Sequence, residues 1–394
     1  MKFSILLPTR NRLDLLKLAV ESVRRQDYGD WEIVVSDNAS DQDVPGYVQS
    51  IGDARIRAWR NPQLVPVTDN WNAALSHSSG DYFIMLGDDD ALMPGALSRL
   101  AALVERWSRP MAIYAQAVQY AYPGVFPGRP DPFVQTGYNA FLQGRREPFA
   151  LAKSEARRMV RAAMAFRILY GFNMQHFAVS RELAAQLRPK GPFFQSPYPD
   201  YYAANAVLLA ASPLVATPEV LALIGISPKS FGYYYLNDRE QDGTAFLQNV
   251  ADPEIAKRVR GKLVPGSNMN DSWLCAMETL ARNFADDVGS TVRDAGYRRL
   301  QYYQLIRQRR YRTALRSMRW WELPVYGSAL LALAGTRVLP GRARTYTSAV
   351  MAQLLFSAAP RFDPKTRAVP YRNILEAAAG EAGEPAPAIS GAQR

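Results

Sequence analysis

The chain has 394 residues, 48% of them hydrophobic and 21% charged, enough for one large domain and a smaller one around a real core. A single cysteine, Cys275, excludes a disulfide framework and a cysteine zinc site, and two histidines, His77 and His176, leave no multi-histidine centre. The net charge of +11 requires a negative partner: nucleic acid, anionic lipid or a phosphorylated substrate.

The opening "KFSILLP" reads as a short apolar strand stopped by Pro8. Its apolar run is too short for a signal peptide, and no apolar span of about 18 residues follows anywhere. A cytoplasmic protein is the expectation. Next, "RLDLLKLAVESVRRQ" sets Leu13, Leu16, Val20 and Val23 on one helix face. "WEIVVSD" is a second strand, "RIRAWRN" a third, "NWNAALSHSSG" a short helix and "DYFIMLGDDD" a buried fourth strand. Strands joined by helices predict a doubly wound, largely parallel α/β sheet, whose ligands sit at the carboxyl ends of the strands. Pro8–Arg10, Asp37 and Asp88–Asp90 all fall at that edge.

"MAIYAQAVQY" is another strand, and "AYPGVFPGRPDPF", with four prolines and two glycines, is a loop. "KSEARRMVRAAMAFRILY" is a basic helix. "PFFQSPYPDYYAANAVLLAA" is a proline-broken loop entering an apolar helix near Asp200, and the strand "LVATPEVLALIGIS" closes this domain by about residue 235. Helices follow. "DSWLCAMETLARNF" stripes Trp273, Met277, Leu280 and Phe284, and 295–321 carries eight arginines and no acid. Two moderately apolar segments, 323–335 and 346–360, are too short to span a membrane. The tail 378–394 is rich in Ala, Gly, Pro and Glu and reads as disordered.

Asp88, Asp89 and Asp90 pose a chemical question. Adjacent carboxylates repel, and each is costly to bury without a partner, so a cation is expected beside them. The plain alternative is a solvated turn opening a helix, since Asp favours helix N-termini. Asp37 could equally be an Asx-turn residue, Asp200 a helix cap, His176 a satisfied core side chain and His77 a surface one.

Together "FSILLPTRNR", "WEIVVSDNASDQD", "NWNAALSHSSGDYFIMLGDDDALMPGAL" and "SPYPDYY" resemble the GT-A glycosyltransferases of family 2. The likeness is densest over 1–110, thins to the Asp200 region by 235 and is absent beyond. It implies a GT-A catalytic domain over 1–235, with a nucleotide-binding half to about 110 and an acceptor half from 111. A helical C-terminal region, 236–377, would follow. It also implies a nucleotide-sugar donor, probed by Pro8, Thr9, Arg10, Asp37, Asn72 and Asp88, with Asp37 on the base and Asp88 nearer the ribose. A divalent metal, Mg²⁺ or Mn²⁺, would be held by Asp89 as the direct ligand and by Asp90, and would hold the leaving diphosphate. Asp200 would be the general base of an inverting transfer, and His176, Tyr198 and Tyr201 would contact acceptor or diphosphate. Two departures stand out: Gly87 replaces the usual first aspartate, and Trp71-Asn72 replaces Arg-Asn. The phosphates' positive partner would then be Arg10 or the metal alone.

The implied activity is transfer from a nucleotide-sugar, UDP-linked by resemblance, to a glycan or lipid-linked acceptor in cell-surface polysaccharide synthesis. A non-catalytic nucleotide-sugar-binding or assembly protein of the same fold is the alternative. No G-x-G-x-x-G follows the first strand, so a dehydrogenase is unsupported. The arginine run fits a solvated face, a nucleic-acid patch or a membrane-surface element. Its order, arginines with tyrosines, then Trp320 and Trp321, then an apolar stretch, favours anionic lipid over 295–334. This suits a protein peripheral on the inner membrane face. No nucleic-acid module is recognisable, and a homo-oligomer remains open.

Overall fold

The computed structural model describes residues 1–383 apart from 127–129, 137–138, 238–239, 241–251, 342, 344–346, 348–349 and 351–364. Strands β1 (Phe3–Thr9), β2 (Trp31–Asp37), β3 (Ile56–Arg60) and β4 (Tyr82–Met85) pair in parallel in the order β4-β1-β2-β3. Helices α1 (Leu13–Arg24), α2 (Val44–Ile51) and α3 (Val67–Ser76) make the crossovers. Both sheet faces are covered, so β1 and β2 read as continuous apolar runs and are buried along their whole lengths. Leu16, Ala19, Val20 and Val23 of α1 pack with Ile5, Leu7, Ile33 and Val35 on one face. Leu6, Val34 and Phe83 point to the other.

Beyond β4 come β5 (Ala91–Leu92), α4 (Ala96–Arg106), β6 (Ala112–Ala121), β7 (Phe133–Thr136), β8 (Phe149–Ala150) and α5 (Lys153–Met164). They are followed by β9 (Phe177–Ser180), α6 (Arg181–Leu187), α7 (Pro199–Ala210) and β10 (Leu214–Ile226). β9 slots antiparallel between β4 and β6, and β10 lies parallel to β6. The expected mixed α/β sheet is present, parallel in its first half and mixed in its second.

Three expectations for the C-terminal part need correcting. The helix Asn268–Asn283 does not stand apart, because Trp273, Met277, Leu280 and Phe284 enter the core that α5 and α7 share with the sheet. Nor does the chain stay helical to 377. Strand β11 (Lys365–Ala368) pairs antiparallel with β7, and the helix Ile374–Ala382 buries Ile374, Ala377 and Ala378 in the same core as α1. A tail beginning at 378 would cut that helix, whose apolar side holds it down; 384–394 lies outside the described residues.

The arginine run is not one surface helix either. It is split into Ala295–Arg307 and Tyr311–Ser317 around Arg309, which has φ 58°. The first piece is mostly core: Tyr297, Leu300, Tyr302 and Leu305 are buried, and Arg298 makes a buried 2.8 Å pair with Glu322. Arg319 pairs with Asp294 at 2.6 Å. The acids that 295–321 lacks stand just outside it at both ends. Of the second apolar segment, 346–360, most lies outside the described residues.

Candidate functional site

The parallel register brings the polar strand ends together. Thr9 lies opposite Asp37 at the ends of β1 and β2, and Asp88 follows β4 on the other side of β1. Thr9 Oγ1 donates to Asp88 Oδ2 at 2.7 Å, with Pro8 buried beside it. Asp37 is fully buried. Its Oδ1 accepts the Ser40 N–H at 3.0 Å, whereas its Oδ2 accepts no hydrogen bond, the Arg60 guanidinium standing 3.6 Å away. A buried carboxylate oxygen without a donor is costly unless something supplies one. A base N–H is such a donor.

The cation beside the aspartates is Arg12. Its guanidinium lies 3.0 Å from Asp88 Oδ1 and 3.9 Å from Asp89 Oδ1. Burial works against the Arg12 charge, but Asp88, Asp89 and Asp90 outweigh it and raise the pKa. Arg10, expected in this role, is exposed on the turn before. The signal was present in "PTRNR": Arg12 is the N-cap position of α1, two residues further along the same turn.

The three aspartates have different surroundings. Asp88 takes the Thr9 hydroxyl and Arg12; burial first, then Asp89, pushes its pKa up against Arg12. Asp89 Oδ2 accepts the Ser227 hydroxyl at 2.8 Å. Asp90 turns inward: its Oδ2 accepts from Gly87 N–H at 2.7 Å and the Gln175 amide at 2.5 Å, and its Oδ1 from Gly225 N–H at 2.8 Å. Burial, and then Asp89, raises the Asp90 pKa. With both oxygens engaged in the protein, Asp90 is not a free metal ligand, which corrects that assignment. Gly87 is thereby explained, because a Cβ there would lie 2.6 Å from Asp90 Oδ2. A Cβ on Gly225 would strike the Asp89 carbonyl at 1.9 Å, so β10 approaches the aspartates only as glycine.

Hard divalent cations take carboxylate oxygens. Both Asp88 oxygens are engaged, by Thr9 and Arg12, so of the three acids Asp89 alone keeps an oxygen, Oδ1, that accepts no hydrogen bond from the described residues, with Arg12 3.9 Å from it; that oxygen is what the cluster offers a cation shared with a diphosphate. Among the described residues, no three His, Cys, Asp or Glu side chains form a cage by themselves.

The short turn Met174–His176 joins this cluster to Asp200. Gln175 binds Asp90, and the Met174 N–H donates to Asp200 Oδ1 at 2.7 Å. Asp200 sits in the first turn of α7 after Pro199, and burial raises its pKa to about 7 although the Met174 N–H opposes the shift. Tyr198 feels the charges of both Asp200 and Asp89, and its ring stacks on Tyr201 at 5.2 Å.

Two expected contacts are absent. His176 is buried, its ring parallel to Tyr114 at 5.0 Å, and its Nδ1 bonds the Ala115 carbonyl at 2.9 Å. Burial lowers its pKa to about 4, so it is a neutral core residue rather than an acceptor contact. Asn72 uses both ends of its amide on the Phe194 backbone, at 2.9 and 3.1 Å, and fixes the 193–198 loop rather than a nucleotide. Arg12, Gln175 and Ser227 are the site residues that sequence reasoning missed.

Residues 4–169 match the family profile described as Glycosyl transferase family 2. The matched segment is less than half of the chain. It contains Arg12, Asp37 and Asp88–Asp90, whereas Gln175, Asp200 and Ser227 lie beyond it. The chain is 40% identical over 102 residues to the GalNAc(5)-diNAcBac-PP-undecaprenol beta-1,3-glucosyltransferase of Campylobacter jejuni, covering 25% of this chain and 33% of that protein. It is 30% identical over 87 residues to the UDP-Glc:alpha-D-GlcNAc-diphosphoundecaprenol beta-1,3-glucosyltransferase WfgD of Escherichia coli, covering 22% and 34%. The chain thus spans about a third of the length of these two curated relatives. Among solved structures it is similar to Staphylococcus aureus TarS 1–349 in complex with UDP-GlcNAc, with a TM-score of 0.46 and 14% identity over 80% of this chain and 89% of that one.

Proposed function

We propose that the protein is an inverting, metal-dependent glycosyltransferase of GT-A type, moving a sugar from a UDP-linked donor to a glycan or lipid-linked acceptor in cell-surface polysaccharide synthesis. The observation that carries this reading is the crevice at the strand ends. There the Asp37 oxygen that accepts no hydrogen bond, the Thr9–Asp88 pair and Arg12 line one side, and the Met174–His176 turn ties them to Asp200. The two undecaprenol-linked relatives support the lipid-linked acceptor.

In this reading Asp37 Oδ2 accepts the base N–H, Pro8 and Thr9 line the base pocket, and Asp88 reaches the ribose. Asp89 would hold the divalent cation, which when bound neutralises charge on the departing diphosphate. Arg12 supplies a second, fixed positive charge at the same place. Asp200 takes the proton of the acceptor hydroxyl as that oxygen attacks the sugar carbon, and a pKa near 7 keeps a useful fraction ionised at neutral pH. Attack opposite the leaving group inverts the configuration. Tyr198 and Tyr201 form a stacking wall for a sugar.

Calorimetric titration of UDP, GDP and dTDP with and without Mn²⁺, on wild type and Asp89→Ala, tests the proposal. Binding of UDP that needs metal and is lost in Asp89→Ala is expected. No nucleotide binding by the folded protein would overturn it.

A further inference from the structure

The helical segment after the arginine run is built inside out. Between 321 and 339 most exposed positions, 321, 324, 325, 328, 331, 332, 335, 338 and 339, recur every three or four residues along one face, and the exposed Leu323 lies off it. That face holds Trp321, Val325, Leu331, Val338 and Leu339, with Ser328 its one polar side chain. Val325 is 61% exposed, Leu331 75% and Val338 89%, and Trp320 just before them is 77% exposed. The opposite side, Ala329, Leu330 and Leu333, is already buried against Tyr302, Leu305 and Ala314. The core is therefore satisfied, and the apolar outer face serves some other contact. An apolar face this exposed on a water-facing helix marks an interaction surface.

Charge indicates the partner. The helix Tyr311–Ser317 packs on the same small cluster through Ala314, so its arginines belong to the same small unit as the apolar face. Arg309, Arg310, Arg312 and Arg316 are exposed, and among the described residues none of the four forms an ion pair. Glu322, an acid within this segment, is turned inward onto Arg298. Exposed indoles and aliphatics in one unit with unpaired exposed arginines, with no exposed acid between 309 and 339, match the composition of a surface that meets an anionic bilayer. A protein partner would need an equally apolar, acid-rimmed groove. No described helix is long and apolar enough to cross a membrane, so the contact lies on the surface.

We infer that residues 309–339 form a membrane-docking surface that seats Trp320, Trp321, Val325 and Leu331 among the acyl chains and Arg309, Arg310, Arg312 and Arg316 among anionic headgroups. The surface is distinct from the aspartate crevice, and its test needs no nucleotide and no turnover. The full chain should float with vesicles of phosphatidylglycerol and phosphatidylcholine at 0.15 M salt, and barely with phosphatidylcholine alone. Replacing Arg309, Arg310 and Arg312 together by Gln should weaken partitioning roughly a hundredfold. Trp320→Ser with Leu331→Ser should abolish it while leaving circular dichroism and UDP affinity unchanged. Two results would overturn the inference: no flotation of the folded chain with anionic vesicles, or a dimer in light scattering that the Trp320 and Leu331 changes dissociate, which would make the occupant a second copy.

Discussion

Strand β2 carries a buried acid at each end, and the two are treated in opposite ways. At its amino end Glu32 accepts from the Ser4 hydroxyl at 2.7 Å, Lys2 at 2.9 Å, Arg57 at 2.7 Å and the Ser79 N–H. Burial alone would raise its pKa, but the Ser4, Lys2, Ser79 and Arg57 hydrogen bonds reverse this and hold it at about 2. At the carboxyl end one Asp37 oxygen accepts no hydrogen bond and has only Arg60 at 3.6 Å, and the neighbouring Asp88 and Asp90 are pushed up by burial and by Asp89. A carboxylate completed by its own protein is holding the fold. One left incomplete in a crevice is awaiting a donor from outside.

That contrast can be broken or sharpened by substitution. The largest effect is expected at Asp200. Asp200→Asn should lower transfer about a thousandfold, the usual scale for a general base, and shift the UDP dissociation constant less than twofold; a variant with wild-type turnover would remove Asp200 from the chemistry. Next, Glu32→Gln should destabilise the fold by about 2 kcal/mol in urea melts with nucleotide binding intact, since its partners are half exposed and lose only part of their pairing. The pH dependence has a definite sign. A folded pKa below the ordinary 4.5 gives stability that is complete above pH 4.5 and is lost as pH falls toward 2, so Glu32→Gln should lose less on acidification than wild type.

Asp37→Asn is expected to do the reverse of Glu32→Gln. It should weaken UDP about tenfold, because an amide cannot replace both acceptor oxygens, and leave the melting midpoint unchanged or slightly raised. An equal loss of stability and affinity would erase the distinction between the two ends of β2. The smallest effect is the pH profile. The rate kcat/KM should climb through pH 7 as Asp200 ionises. The raised pKa also means that the folded state holds its proton, so the stability Asp200 contributes declines between pH 3.8 and about 7 and stays low above. Asp200→Asn should therefore melt higher than wild type at pH 8.

The parallel half of the sheet was legible because each of its signals is local. Apolar runs ending in Pro8, Asp37 and Asp88 give both strand and strand end, and helix periodicity gives the crossovers. Asp200 was legible as a helix opening in a proline-stiffened loop. What escaped depends on distant pairing. Gln175 and Ser227 are ordinary polar residues until β9 and β10 lie beside the aspartates, and nothing near them in the chain says so. His176 attracted attention as one of two histidines, yet its surroundings are Tyr114 and a backbone carbonyl. Gly87 read as a departure from the family's first aspartate and is the space into which Asp90 folds. The arginine run misled because its acids, Asp294 and Glu322, sit just beyond its two ends.

The return of residues 365–382 to the sheet has a consequence for synthesis. A ribosome delivers β7 some 230 residues before β11, the strand that covers its outer edge. Until then the nascent sheet has an open border, and Ile374, which sits within 3.3 Å of where a Gly225 side chain would be, is not yet behind the aspartate turn. The nucleotide crevice is among the first parts of the chain to be made and among the last to be backed. A truncated expression product ending near 340 would have every residue of the crevice, an uncovered strand and a strong tendency to aggregate.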